Sequence, residues 1–205
     1  MLVVGANEVA VSNPYRKPDR FTKKAKAEGY AARSVYKLDE LHKRFRLFSS
    51  GQKVVDLGCF PGSWSKYLIR RVGKTGTVVG VDLEEPTFGG AHWIPRTVYE
   101  VSPEELLEAL GGPADALVSD MAPRTTGNRL FDHVTQIELA DRALEVAVAI
   151  VRPGGHFVCK VFDGEDANAF CDRVKAHFGK IKRVRPEAVR KNSREFFLVG
   201  TGFKG

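Results

Sequence analysis

The chain has 205 residues, 43% of them apolar and 28% charged, and its 32 Lys and Arg against 25 Asp and Glu leave a formal charge of +7. This length and composition exclude a disordered or low-complexity chain and fit one α/β domain with a short arm. Cys59, Cys159 and Cys171 form no CxxC pair, which argues against a disulfide scaffold or zinc ribbon and for a reducing cytosol.

In chain order, the opening MLVVGANEVAVS has neither the basic start nor the apolar run of a signal peptide. Residues 1–30 are polar and basic and read as an arm, partly ordered at best, ahead of a single domain over 31–205. Helical periodicity covers 31–48, where Tyr36, Leu38, Leu41, Phe45 and Phe48 make an apolar stripe. A buried strand over 53–58 precedes a helix over 63–73, with Ser63 as the expected N-cap. A strand over 77–83 and a short one near 92–99 come next. The helix over 102–110 carries its own signals: Ser102 as cap, Pro103 at the first helical position and Gly111 as stop. A strand over 115–120 leads to a long amphipathic helix over 131–151, ended by Arg152-Pro153-Gly154-Gly155. Strand 155–162, helix 165–178, strand 180–185 and strand 195–203 complete the set. The longest apolar stretch, 143–151, is interrupted by Glu145 and is too short to span a bilayer. Strand–helix alternation of this kind predicts a mostly parallel sheet with helices on both faces.

Ligands of such sheets sit beyond the carboxyl ends of the strands. The turn after the first strand reads Asp56-Leu57-Gly58-Cys59-Phe60-Pro61-Gly62-Ser63-Trp64, in which Gly58 and Gly62 allow close backbone approach. It is not a GxGxxG dinucleotide turn. Asp82, ending the second strand, is placed to accept hydrogen bonds from ribose hydroxyls. Turn and acid together point to a nucleoside-containing ligand. Asp120 and Lys160 end two further strands beside the same crevice, and apolar neighbours in GHFVCKVF leave Lys160 partly desolvated. The five histidines are scattered and read as structural, and no His/Cys/Asp cluster has metal-ligand spacing.

Six segments, ARSVYKLDEL (32–41), VVDLGCFPGSWSKYL (54–68), VGVDL (79–83), LVSDMAPRTTG (117–127), RPGGHFVCKVFDGE (152–165) and NSREFFLVGTG (192–202), together resemble the FtsJ-type RNA 2′-O-ribose methyltransferases. The resemblance spans about residues 30–203 and implies a Rossmann-like fold with a seven-stranded sheet and S-adenosylmethionine as cofactor. It carries the family's Lys-Asp-Lys-Glu tetrad onto Lys37, Asp120, Lys160 and Glu195. A neutral Lys160 would take the proton of the ribose hydroxyl, with Asp120 orienting it or accepting the proton instead. Lys37 and Glu195 would position the ribose and tune Lys160. For the cofactor the resemblance implies Asp56, Gly58, Pro61, Gly62, Trp64, Asp82 and Asp120, with Asp56 supporting the loop and Asp120 near the methyl-bearing end. No metal is implied. The family's adenine-contacting acid has no counterpart in Trp93–Glu100, where Glu100, Thr97 or a backbone group stands nearest.

The charge is unevenly placed. Residues 16–46 hold eleven Lys and Arg against four acids, 173–194 hold nine against Glu187 alone, and 47–172 hold eleven against eighteen acids. Basic runs are often only solvated faces. The alternative is a phosphate-binding footprint formed by Arg16, Lys17, Arg20, Lys23, Lys24, Lys26 and Arg33 on one side and Lys182, Arg183, Arg185, Arg190, Lys191 and Arg194 on the other. Tyr36 has core spacing more than that of a base-stacking residue, and helix–sheet packing is a competing role for Trp64. The family resemblance favours as substrate a uridine in the A loop of large-subunit ribosomal RNA within the 50S subunit, methylated by a cytoplasmic monomer. A tRNA ribose methyltransferase and a noncatalytic RNA-binding assembly factor remain the two alternatives.

Overall fold

A computed structural model describes residues 19–87, 89–123 and 126–205. Helices α1 (Arg20–Ala27) and α2 (Val35–Phe45) precede β1 (Lys53–Leu57), α3 (Ser63–Val72), β2 (Thr77–Val81), β3 (His92–Ile94), α4 (Pro103–Leu110) and β4 (Ala114–Ser119). Then come α5 (Arg129–Ile150), β5 (Val151–Phe162), α6 (Ala167–His177), β6 (Phe178–Val184) and β7 (Glu195–Phe203). The seven strands form one sheet in the order β3-β2-β1-β4-β5-β7-β6. All neighbouring pairs are parallel except β5–β7 and β6–β7.

Alternation along the strands divides the core into two layers. Val55, Val79, Leu117 and Phe157 face α4, α5 and α6, while Val54, Val78, Ala116 and Val158 face α1, α2 and α3. None of the helices among the described residues is long and apolar enough to cross a membrane.

Two topological facts position the site. The chain leaves β1 for β2 and β3 on one side and returns to β4 on the other, so the crevice opens between β1 and β4. Because β7 runs against β5, its beginning lies where β5 ends, and Glu195 pairs with Phe162.

Local chemistry accounts for most boundaries. Ser102 accepts from the Glu105 N–H at 3.1 Å, Pro103 opens α4, and Gly111 closes it in a left-handed conformation. Asn128 caps α5 by accepting from Leu130 and Phe131, so this helix starts two residues before the expected 131. Four expectations change. The N-cap of α3 is Gly62 at φ +104, not Ser63, whose hydroxyl instead accepts from the Ala32 N–H at 2.7 Å. The strand expected over 92–99 is only the three residues of β3. Residues 152–155 do end α5, yet they belong to β5 as a bulge, because Ala114 pairs with Val151 and Ala116 with His156. Finally, α1 forms within the stretch read as an arm: Ala25 is buried, and Phe21 and Tyr30 pack on the same core layer.

Candidate active site

The turn after β1 is held from both sides. Gly58 has φ +77, and a Cβ there would lie 2.5 Å from Met121 Cγ, so only glycine lets β1 and β4 close at this point. The N–H groups of Gly58 and Cys59 donate to the Val81 carbonyl, and that of Phe60 donates to Asp82 Oδ2 at 3.0 Å. Thr87 donates to the Pro61 carbonyl through both its N–H and its hydroxyl. Asp82 therefore shapes the turn while its carboxylate keeps further acceptor capacity. The Trp93 indole donates to the Asp82 carbonyl at 2.9 Å.

Asp56 sits beneath this turn, 1% exposed, and accepts from the Ser65 hydroxyl at 2.6 Å. Burial pushes its pKa up to about 7; the Ser65 bond opposes the rise, while Asp120 and Asp82 add to it. Asp56 thus connects β1 to the first turn of α3. Trp64 behaves differently from its neighbours in the turn: its indole is buried, donates to the Ser34 carbonyl at 2.9 Å and tilts on Phe197 at 5.8 Å. Its side chain packs the helix layer between α2 and β7.

The four tetrad side chains converge although they come from α2, β4, β5 and β7. Lys37 Nζ lies 2.7 Å from Glu195 Oε1 and 3.6 Å from Asp120 Oδ1. Lys160 Nζ lies 3.2 Å from the same Asp120 oxygen and donates to the Asp120 backbone carbonyl at 2.6 Å. The order is acid, base, acid, base. Asp120 Oδ1 is buried and makes no well-aligned hydrogen bond, so its contacts with both ammonium groups are ionic. Burial opposes the charge on Lys37, but Asp120 and Glu195 outweigh it and hold the ammonium above the usual lysine range. The Phe197 ring lies 5.4 Å from Lys37 Nζ, so Trp64, Phe197 and Lys37 form a stack leading from core to site.

Lys37 and Glu195 also line a groove of about 1070 Å³ between α1, α2 and the β6–β7 connection. Arg20 reaches across it to Glu187 at 2.9 Å. Arg33 is paired with Asp19 and with the Ala188 carbonyl, and Arg190 and Lys191 stand on the opposite wall. Arg16 and Lys17 lie outside the described residues. The expected footprint needs two corrections. Arg183 is turned inward onto Asn168, the Ala167 carbonyl and the Phe196 ring. Arg185 clamps the carbonyls of Arg190, Lys191 and Ser193. Both guanidiniums shape the connection. Tyr36 is a core residue, buried and donating to Glu28 at 3.0 Å. Glu100 accepts from the N–H and hydroxyl of Thr97, closing the turn after β3 on itself.

Sequence reasoning missed the polar face of α5 behind the cluster. Asp132 accepts from the Thr126 N–H and hydroxyl, His133 accepts from the Asp166 N–H, and Gln136 donates to the Lys160 carbonyl at 3.0 Å. These residues fasten the loops after β4 and β5 to one helix. Their signal was polar side chains at helical spacing on a face that buries its neighbours Ile137 and Ala140.

The sequence profile described as FtsJ-like methyltransferase matches residues 30–203. A protein named ribosomal RNA large subunit methyltransferase E from Desulfatibacillum aliphaticivorans is 45% identical over 190 residues, 91% of each chain. The protein of the same name from Bdellovibrio bacteriovorus is 42% identical over 194 residues, 93% of this chain and 99% of that one. Among solved structures, a ribosomal RNA methyltransferase from Plasmodium falciparum superposes with a TM-score of 0.77 at 24% identity, covering 86% of this chain and all of the other. Fibrillarin from Aeropyrum pernix, solved with bound S-adenosyl-L-methionine, shares the fold at a TM-score of 0.52 and 15% identity, over 75% of this chain and 67% of its own. This chain belongs to the FtsJ-like methyltransferase family.

Proposed function

We propose that this protein transfers a methyl group from S-adenosylmethionine to a ribose 2′-hydroxyl of large-subunit ribosomal RNA, at a uridine of the A loop within the 50S subunit. The observation that carries the reading is the unbroken chain Glu195–Lys37–Asp120–Lys160 at the crevice between the strand ends. The family and the relatives' names supply the reaction class and the substrate.

The donor set suits the cofactor. Asp82 and Asp120 offer carboxylates at the ends of β2 and β4, fitting ribose hydroxyls and a cationic sulfonium, and the Gly58–Gly62 turn offers close backbone approach. When bound, S-adenosylmethionine supplies an electrophilic methyl group on sulfur. Lys37 stays charged and, with Glu195, fixes the incoming ribose. Asp120 holds Lys160 through its carboxylate and its carbonyl. Lys160, when neutral, would accept the proton of the ribose hydroxyl that receives the methyl group.

The reading takes the protein as a cytoplasmic monomer of one domain over 31–205, with the basic segment 1–30 on the RNA side; within that segment α1 is packed on the domain. The test is methyl transfer from labelled cofactor to purified 50S subunits, free ribosomal RNA and tRNA. Labelling of a ribose in the 50S subunit is expected. Labelling of tRNA alone would replace the substrate, and no labelling of any RNA would overturn the enzyme reading.

A further inference from the structure

Lys160 is gripped at both ends. Its Nζ donates to the Asp120 carbonyl at 2.6 Å and lies 3.2 Å from Asp120 Oδ1. Its own backbone carbonyl accepts from the Gln136 amide at 3.0 Å and from the Cys159 thiol at 3.3 Å. The two ends are reached from opposite sides of the sheet. Phe157, Cys159 and Val161 face α4, α5 and α6, so Lys160 points with Val158 into the layer that holds α2, while Gln136 comes to the strand from α5. The pairing of β4 with β5 ends at Ser119 and Cys159, so the strand passes Lys160 without a β4 partner. Gln136 supplies a fixed contact at that point.

Helix–sheet packing alone is a poor account of this side chain. Gln136 is 1% exposed, and its Oε1 is buried with no hydrogen-bond partner among the described residues. A buried acceptor left unpaired costs more than one neutral hydrogen bond returns. An unbranched apolar side chain of the same length would fill the space at less cost to the fold. The neighbours on the polar face of α5 also differ from it in what they hold. Asp132 and His133 take loop backbone, at Thr126 and Asp166. Gln136 takes the strand at a tetrad residue.

We propose that Gln136 is a positioning residue for methyl transfer: by holding the Lys160 carbonyl from the α5 side, it fixes the root of the lysine side chain so that the amine stands at Asp120. This rests on the reading of Lys160 as the group that takes the hydroxyl proton. Gln136 acts through Lys160 and moves no proton itself. Its effect is on rate, since displacing a reacting group by about 1 Å can cost on the order of 10²-fold.

The test is a cycle of Gln136→Met, Lys160→Ala and both changes together, read by single-turnover methyl transfer to 50S subunits at saturating cofactor. In the otherwise wild-type protein, Gln136→Met is expected to slow transfer about 10–100-fold, with cofactor and RNA affinities within about twofold. In the Lys160→Ala background the same change is expected to cost less than about twofold, because the group it positions is gone. An equal loss in both backgrounds, or the full rate in Gln136→Met, overturns the proposal and leaves Gln136 as packing. Should Gln136→Met not fold, Gln136→Glu takes its place. Its carboxyl donates to the Lys160 carbonyl only while protonated, so its rate relative to wild type is expected to fall as pH rises, and a ratio independent of pH overturns the proposal. If Lys160→Ala alone keeps the wild-type rate, or the wild type labels no RNA, the underlying reading fails and this proposal fails with it.

Discussion

The groove beside Lys37 and the α6–β6 edge draw on the same basic stretch but differ in how their cations are held. In the first, Arg20, Arg33 and Lys37 each have an acid of their own, Glu187, Asp19 and Glu195. At the α6–β6 edge, Lys175, Lys180 and Lys182 have no ion-pair partner among the described residues, and the register sets Lys180 and Lys182 on the sheet face away from α6. An ion pair fixes where a cation stands, and an isolated lysine supplies field without geometry. The paired cations of the first groove therefore stand at fixed positions, a constraint the edge lysines do not have.

The contrast breaks most sharply at Lys160. Lys160→Ala is expected to slow methyl transfer about 10²–10⁴-fold while cofactor affinity stays within twofold, checked by single-turnover labelling and calorimetry. Retained activity would transfer the proton to another group. Phe197→Ala removes the ring shared by Trp64 and Lys37, so chemical denaturation is expected to show a loss of about 3–5 kcal/mol. Glu187→Gln sharpens the comparison from the other side. It leaves Arg20 without its acid, like the lysines of the α6–β6 edge. Exposed pairs of this kind are worth about 0.2–1 kcal/mol, so RNA affinity at low salt is expected to rise by up to about fivefold in anisotropy titrations. No change would mean that Arg20 does not meet RNA.

A pH experiment isolates the turn after β1. Asp56 has a folded pKa near 7, above the unfolded carboxylate value, so the native state binds its proton more tightly. The stability this gives is present at low pH and lost as pH rises from about 4 to 7. Asp56→Asn is expected to remove that loss, so the melting temperatures of wild type and variant should diverge between pH 4 and pH 8 in the variant's favour. A constant difference would show that Asp56 does not titrate there.

Much of this was legible before the fold was in view. Ser102, Pro103 and Gly111 bracket α4 as their types demand, since a cap is a contact over three residues. The tetrad was legible through resemblance, and the structure brings its members together. Other residues were misread where a long-range contact outbid the local one. Ser63 has the type of an N-cap, but its hydroxyl serves Ala32, thirty-one residues away. Arg183 and Arg185 look like phosphate ligands in a basic run, yet each finds carbonyls to hold. The polar face of α5 was hidden because Gln136 has meaning only once β5 lies beside it.

By itself the sequence determined the alternation of elements, the parallel sheet and the charge in its two basic stretches, because periodicity, capping and composition act over a few residues. It also named four candidate catalytic side chains. Only the tertiary structure decided that Lys37 stands between two carboxylates, that the start of β7 lies at the end of β5, and that the second basic stretch does not form one patch. Those outcomes depend on strand order and direction, which join residues as far apart as Lys37 and Glu195.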